Sequence, residues 1–164
     1  MDARGIITYV SKRVVPLTPN IQLAGYGYVP TSQGQNYDGW EKTEATIKEE
    51  LVSLEALAGS KPTIYAIHAP PAATALDMGF KHAHYGSSGV KKWLLEGNAR
   101  RAVLSGHIHE ATFVNGGIWR ENVHGTPCFQ PGGWHGEGLC AVLFDLEDPA
   151  AAEWIHDAFA VRSA

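Results

Sequence analysis

Ala102-Val103-Leu104-Ser105-Gly106-His107-Ile108-His109-Glu110 joins a short apolar run to two histidines one residue apart. The run reads as a strand, opening into a loop at Gly106, where a side chain is dispensed with. On extended backbone His107 and His109 point the same way, with Cα atoms ~6.5 Å apart. That spacing lets each imidazole reach its own ion where two metals stand roughly 3.5–4 Å apart. The plain alternative is two surface histidines at a strand end, and this stretch alone does not decide between them.

Upstream, Ile64-Tyr65-Ala66-Ile67-His68-Ala69-Pro70-Pro71 repeats the design: an apolar run ends in a histidine, and two prolines stop the strand at once. Two strands that each deliver an imidazole at the carboxyl end are how an α/β sheet builds a site along one edge. With both fragments in hand, the sequence resembles the calcineurin-like metallophosphoesterases, in particular their small bacterial and archaeal branch. Gly25-Tyr26-Gly27-Tyr28-Val29-Pro30 and Asp38-Gly39-Trp40-Glu41 are similar to that family's middle segment. Leu76-Asp77, His84-Tyr85-Gly86-Ser87, Gly125-Thr126 and Pro131-Gly132-Gly133 follow in the family's order.

The resemblance implies an α/β fold of two packed sheets flanked by helices. It implies hydrolysis of a phosphomonoester or phosphodiester at a site of two divalent ions. His68 and His107 would bind one ion and His109 the other. A histidine-rich donor set suits Mn, Fe, Zn or Ni better than Mg or Ca. His84 and His135 are the further candidates, for contact with substrate phosphate, although neither His82 nor His84 falls on a ligand position of the family. The family's Asp-x-His, Gly-Asp and Gly-Asn-His segments do not occur here. None of the six aspartates (Asp2, Asp38, Asp77, Asp145, Asp148, Asp157) lies in such a context. The bridging carboxylate and the catalytic histidine are therefore expected in an N-terminal half that this sequence lacks, and residues 1–164 read as one domain, the C-terminal part of the family's fold.

Three readings compete: part of a phosphoesterase, a non-catalytic binding or assembly domain that keeps the fold, and an unrelated histidine-rich metal-binding protein. The order of the motifs along the chain argues against the third. The first two lead to expected partners: a phosphoester substrate, and either a separate N-terminal half or a second copy of the chain.

At 164 residues, with 45% hydrophobic and 10% aromatic content, the chain is long enough for a real core. A net charge of −4 gives no basic footprint, so nucleic acid is not an expected partner. Cys128 and Cys140 fit a reducing compartment better than a disulfide framework. No leader or membrane-spanning run is visible, so the cytoplasm is the expected location and no membrane role is expected.

Strands are expected over Ile6–Val10, Val14–Leu17, Ile21–Tyr26, residues 62–68 and Arg101–Ser105, with Tyr26 and Tyr28 on one face. A helix from about Trp40 to Leu57, capped by Asp38 and closed by Gly59, should bury Ile47, Leu51 and Leu54. A second helix, around Val90–Leu95, takes its cap from Ser87 or Ser88 and buries Val90, Trp93 and Leu94. Asp77 reads as a carboxylate that braces its loop. Thr112–Val114 and Ile118-Trp119 predict a hairpin about Asn115-Gly116-Gly117. His124 reads as a loop histidine. Leu139–Leu146, apolar on both faces, predicts a central buried strand. In Ala152–Val161 the alanines favour a short helix and the pattern of the resembled family a last strand, and a strand is expected.

Overall fold

A computed structural model describes residues 6–31, 39–133 and 139–157. In chain order the strands and helices are β1 (Arg13–Pro16), β2 (Gln22–Tyr26), β3 (Val29–Pro30), β4 (Glu41–Lys42), α1 (Glu44–Ala58), β5 (Thr63–Ile67), α2 (Ser88–Glu96), β6 (Ala102–Leu104), α3 (Ala111–Val114), β7 (Arg120–Val123), β8 (Thr126–Phe129), β9 (Leu139–Phe144) and β10 (Ala152–Asp157). The main sheet has six strands in the order β1-β2-β5-β6-β8-β7. β2, β5, β6 and β8 run parallel, and β1 and β7 flank them antiparallel. The fold is mixed α/β, with a mostly parallel sheet and helices.

Strand alternation divides the sheet's side chains cleanly. Ala24, Tyr26, Tyr65, Ile67, Val103 and Cys128 face the layer of α1 and α2, where they meet Ile47, Leu51, Leu54, Val90, Trp93 and Leu94. Ile64, Ala102 and Phe129 face the other way, toward Val142 and Phe144 of β9 and Ala152 of β10. The period of two along each strand and the helical spacing in α1 and α2 meet in one core. Trp93 closes it, edge-on to Tyr65 at a centroid distance of 4.9 Å. α2 starts where the sequence places it, with the Ser87 side chain accepting from the Val90 N–H.

Several expectations are corrected. α1 is capped by Thr43, whose side chain accepts from the Thr46 N–H. It begins at Glu44 because Glu41–Lys42 is drawn into pairing with Val29–Pro30. Asp38, the expected cap, lies outside the described residues. Ile6–Val10 forms no strand; it crosses close over β2, where a Cβ on Gly25 would stand 2.6 Å from Val10 O. Thr112–Val114 is not a strand but most of the single turn α3. The Asn115 side chain then closes the chain reversal, accepting from the Ile118 N–H and donating to the Ile118 carbonyl.

The largest correction concerns Leu139–Leu146. β9 pairs with β10 alone, as a two-stranded antiparallel sheet laid over the main sheet. Only alternate residues turn inward. Phe144 stacks on Phe129 at 5.6 Å, whereas Leu139 and Leu143 are each 59% exposed. β10, expected as a strand, is one. Among the described residues no helix is long and apolar enough to cross a membrane.

Candidate functional site

The parallel strands end along one edge, and three of them carry the chain straight into the residues of interest. His68 follows β5: its N–H donates to the Tyr26 carbonyl at 2.9 Å, and its own carbonyl accepts from the Gly106 N–H at 3.1 Å. Ser105, after β6, donates its N–H to the Phe129 carbonyl at 2.8 Å. The ladder thus runs past the strand ends and fixes His68 and Gly106 against each other.

The next turn is strained. The Ile108 N–H reaches back to the Gly106 carbonyl at 2.8 Å, making a three-residue turn about His107 with φ at +68°. A histidine in the left-handed region costs on the order of 1 kcal/mol or more and needs outside support. Gln130, 1% exposed, supplies it. Its side-chain amide donates to the Gly106 carbonyl at 2.5 Å and to the Ile108 carbonyl at 3.0 Å, bracketing the strained residue. Gly106 is thus not where the turn needs conformational freedom, and a Cβ there would meet only His68 Nδ1 at an ordinary 3.6 Å. No spacing rule singles out Gln130, because its role lies in the tertiary placement of β8 beside β6.

The turn brings the His107 ring to the His68 ring, edge to face, with centroids 5.2 Å apart. His109 lies on the exposed side of the same turn, near enough for its charge to act on both. Burial, then repulsion from His109, lowers the pKa of His68. Burial lowers that of His107 too, followed by repulsion from His68 and His109, with Glu110 pulling the other way. Both rings are therefore held neutral at neutral pH, with lone pairs available for a ligand or a proton. Ser105 Oγ is buried beside them without a partner among the described residues. A cavity of about 510 Å³ opens at His68, walled by Tyr9, Val10, Trp40, Ala66 and Leu104.

No family model matches the chain, and no curated protein matches it. One solved crystal structure superposes with a TM-score of 0.69 at 15% identity, covering 90% of this chain and 53% of its own. The crystal structure of TT1561 of Thermus thermophilus superposes with a TM-score of 0.61 at 17% identity, covering 90% of this chain and 58% of its own. The likeness shows the fold. The chain spans a little over half the length of the solved structures it matches.

The other candidates are scattered by comparison. His84 sits on the strap between β5 and α2, with Nδ1 2.6 Å from Asp77 Oδ1. Asp77 braces that strap: fully buried, it accepts from the backbone N–H groups of Ala73, Thr74 and Gly86. His82 is exposed, and among the described residues its ring meets the Met78 sulfur, at 3.4 Å. His124 lies in the turn between β7 and β8, with φ at +52°. His135 lies outside the described residues. Among the described residues, no three His, Cys, Asp or Glu side chains stand together as a metal-binding group.

Proposed function

We propose that this chain is the C-terminal part of a metal-dependent phosphoesterase with the two-sheet, calcineurin-like architecture. The single observation that carries the reading is the pair of imidazoles, His68 and His107, in ring contact at 5.2 Å at the carboxyl edge of a parallel sheet. The β9–β10 hairpin over the second face of the main sheet supports the architecture, as the start of a second sheet.

The donors fit a divalent transition metal by chemistry and fall short of it by number. Imidazole nitrogens that stay unprotonated are what Mn, Fe, Zn or Ni take. His68 and His107 would hold one ion and His109 a second, and the usual catalytic complement of three protein ligands is not met among the described residues. Such an ion, when bound, supplies an acidified water and neutralises phosphoryl oxygens. The chain's own residues then have defined tasks. Gln130 keeps the His107 turn in its strained form, Tyr26 fixes the backbone of His68, and burial keeps both rings neutral. The bridging carboxylate and the proton donor to the leaving group belong to a further part of the protein, on a separate polypeptide or contiguous with this one.

Titration of Mn²⁺ into isotope-labelled protein tests the reading. Ring signals of His68, His107 and His109 should broaden together, His107→Ala should abolish the effect, and His82→Ala should leave it intact. Hydrolysis of a generic phosphodiester by this chain alone should be poor. Broadening confined to His82 or His124 would sink the assignment. His107→Gly is a sharper variant: release of the left-handed strain should raise stability by about 1 kcal/mol while Mn²⁺ broadening of His68 weakens.

A second reading, a non-catalytic binding or assembly domain on the same fold, draws on the absence of a three-donor group among the described residues. Genomic DNA just upstream discriminates. Asp-x-His, Gly-Asp and Gly-Asn-His segments encoded there favour the hydrolase.

A further inference from the structure

The strap between β5 and α2 is fastened by many bonds that do not involve the His84 side chain. The Ser87 N–H donates to the Pro70 carbonyl and the Ala72 N–H to the Ser87 carbonyl, at 2.8 and 3.0 Å. The Ala75 N–H donates to Glu121 Oε2 at 2.8 Å, and the Ala75 carbonyl accepts from the Asn115 side chain at 2.7 Å. The buried carboxylate of Asp77 takes its three backbone donors in the same segment. A carboxylate so supplied is already stabilised. Yet His84, with a side chain 44% exposed, is also tied to it by a short 2.6 Å contact.

The consequence is directional. An imidazole whose Nδ1–H is taken by a carboxylate has its tautomer and ring orientation fixed, and among the described residues His84 Nε2 has no partner. An exposed histidine would otherwise sample several rotamers, and ordering it costs free energy that the strap's bracing does not require. The strap also meets the segment that follows His109. Asn115 and Glu121, which pin it, follow the His107–His109 turn in the chain. Gly79 lies against Glu110, so that an added Cβ would stand 2.9 Å from Glu110 Oε1. The remaining charged or titratable side chains of the strap are Lys81, His82 and Tyr85, and none of them is seen bound to the His84 ring.

We infer that His84, oriented by Asp77, is a substrate-binding residue that donates a hydrogen bond from Nε2 to a phosphoryl oxygen of a phosphoester. The inference rests on the phosphoesterase reading and deepens it. A ring that donates to Asp77 from Nδ1 and to the phosphoryl oxygen from Nε2 carries a proton on each nitrogen, the second taken up from solvent as the anion binds. No bond to phosphorus is made or broken by His84. Asp77 is a positioning residue, acting only through the ring.

The test is long-range ¹H–¹⁵N spectroscopy of the histidine rings in the metal-free chain, with inorganic phosphate or dimethyl phosphate as the probe. Free protein should show His84 in a single tautomer with the proton on Nδ1. Both probes should move the His84 Nε2 signal saturably toward the imidazolium position. His84→Gln should weaken the binding of each probe about 5- to 10-fold, roughly 1–1.4 kcal/mol. Asp77→Asn should give mixed His84 tautomers and a similar loss. If that variant fails to fold, His84→Gln, on an exposed side chain, still decides. A His84 signal unmoved by either probe overturns the inference, and leaves the phosphoesterase reading standing if Mn²⁺ still broadens His68, His107 and His109 together. A response to inorganic phosphate alone overturns the assignment to an ester. If Mn²⁺ leaves those three rings untouched while both probes move His84, the metal reading fails and the phosphate contact survives.

Discussion

The two faces of the main sheet are finished to different degrees. Under α1 and α2 the side chains are all but sealed: Ile47, Leu51, Val90, Leu94 and Val103 have no exposed surface. On the opposite face the four fully buried residues Ile21, Ile64, Ala102 and Phe129 are covered largely by side chains that are themselves only partly buried, such as Val142, Phe144 and Trp119. The 510 Å³ cavity opens on that side, and Ile7, Tyr9 and Trp40 around it are 60–70% exposed. Apolar residues this open, next to a cavity, mark a surface that has contact work to do. The helical face is a closed core; the hairpin face is a partly covered one, and His68 lines its cavity.

Cavity mutations should separate the two faces. Leu51→Ala, in the sealed layer, should cost about 3 kcal/mol in denaturant unfolding, since little can relax into the space. Val142→Ala, on the partly covered face, should cost about 1 kcal/mol. Equal losses would mean that both faces are packed alike.

A smaller effect separates the two faces by pH. Glu50, on α1, accepts hydrogen bonds from Lys12 at 2.5 Å, Lys42 at 2.6 Å and the Tyr26 hydroxyl at 2.8 Å. It thereby latches the segment before β1, and β4, to the helical layer. Burial alone would raise its carboxyl, but those three bonds outweigh burial and hold the pKa at about 2. A carboxyl depressed on folding stabilises the native state above its unfolded value near 4.5. That stability is lost as pH falls from there toward 2. With its side chain 25% exposed and partly screened, the latch should contribute roughly 1–2 kcal/mol. Glu50→Gln should remove this acid-sensitive increment and leave the hairpin face unaltered. An unchanged stability profile between about pH 5 and pH 2 would show that the latch contributes nothing.

What the sequence discloses follows the same division. The sealed side is legible because its rules are local: Ser87 caps α2, Ile47, Leu51 and Leu54 recur at helical spacing, and His68 follows an apolar run that prolines stop. The strand pair β5 and β6 takes the central place that their apolar character suggests. The hairpin side is less legible. Leu139-Cys140-Ala141-Val142-Leu143-Phe144 is apolar at every position, and such a run does not say which alternate residues turn inward. It reads as a central strand, and nothing within it marks the face that β9 turns away from the core. At the site, the adjacency of two histidine-bearing strand ends is legible. The left-handed turn at His107 and its support by Gln130 are not, since both arise only when β8 is set beside β6.

The smallest expected effect on stability lies on the outer face of the hairpin, and it tests the comparison most directly. The register pairs Leu143 with Glu153 and Ile155 with Ala141, so Leu143 and Ile155 share the face turned away from the main sheet. They are 59% and 42% exposed. Neither supports the monomer's core, and Leu143→Lys with Ile155→Lys should change unfolding free energy by no more than about 0.5 kcal/mol. Self-association should respond far more. Among the described residues neither β9 nor β10 pairs with any other strand, so the hairpin offers unpaired backbone groups as well as apolar side chains, the two features that recruit another chain. In sedimentation velocity at micromolar concentration the unaltered chain should associate, with itself or with a supplied N-terminal half, and the double lysine variant should stay monomeric. The two outcomes separate stability from association, which one mutation in a closed core cannot do. A compact monomer for the unaltered chain would show that the hairpin face is complete as it stands. The reading of this chain as part of a larger fold would then have to be given up, even if His68 and His107 still bound metal.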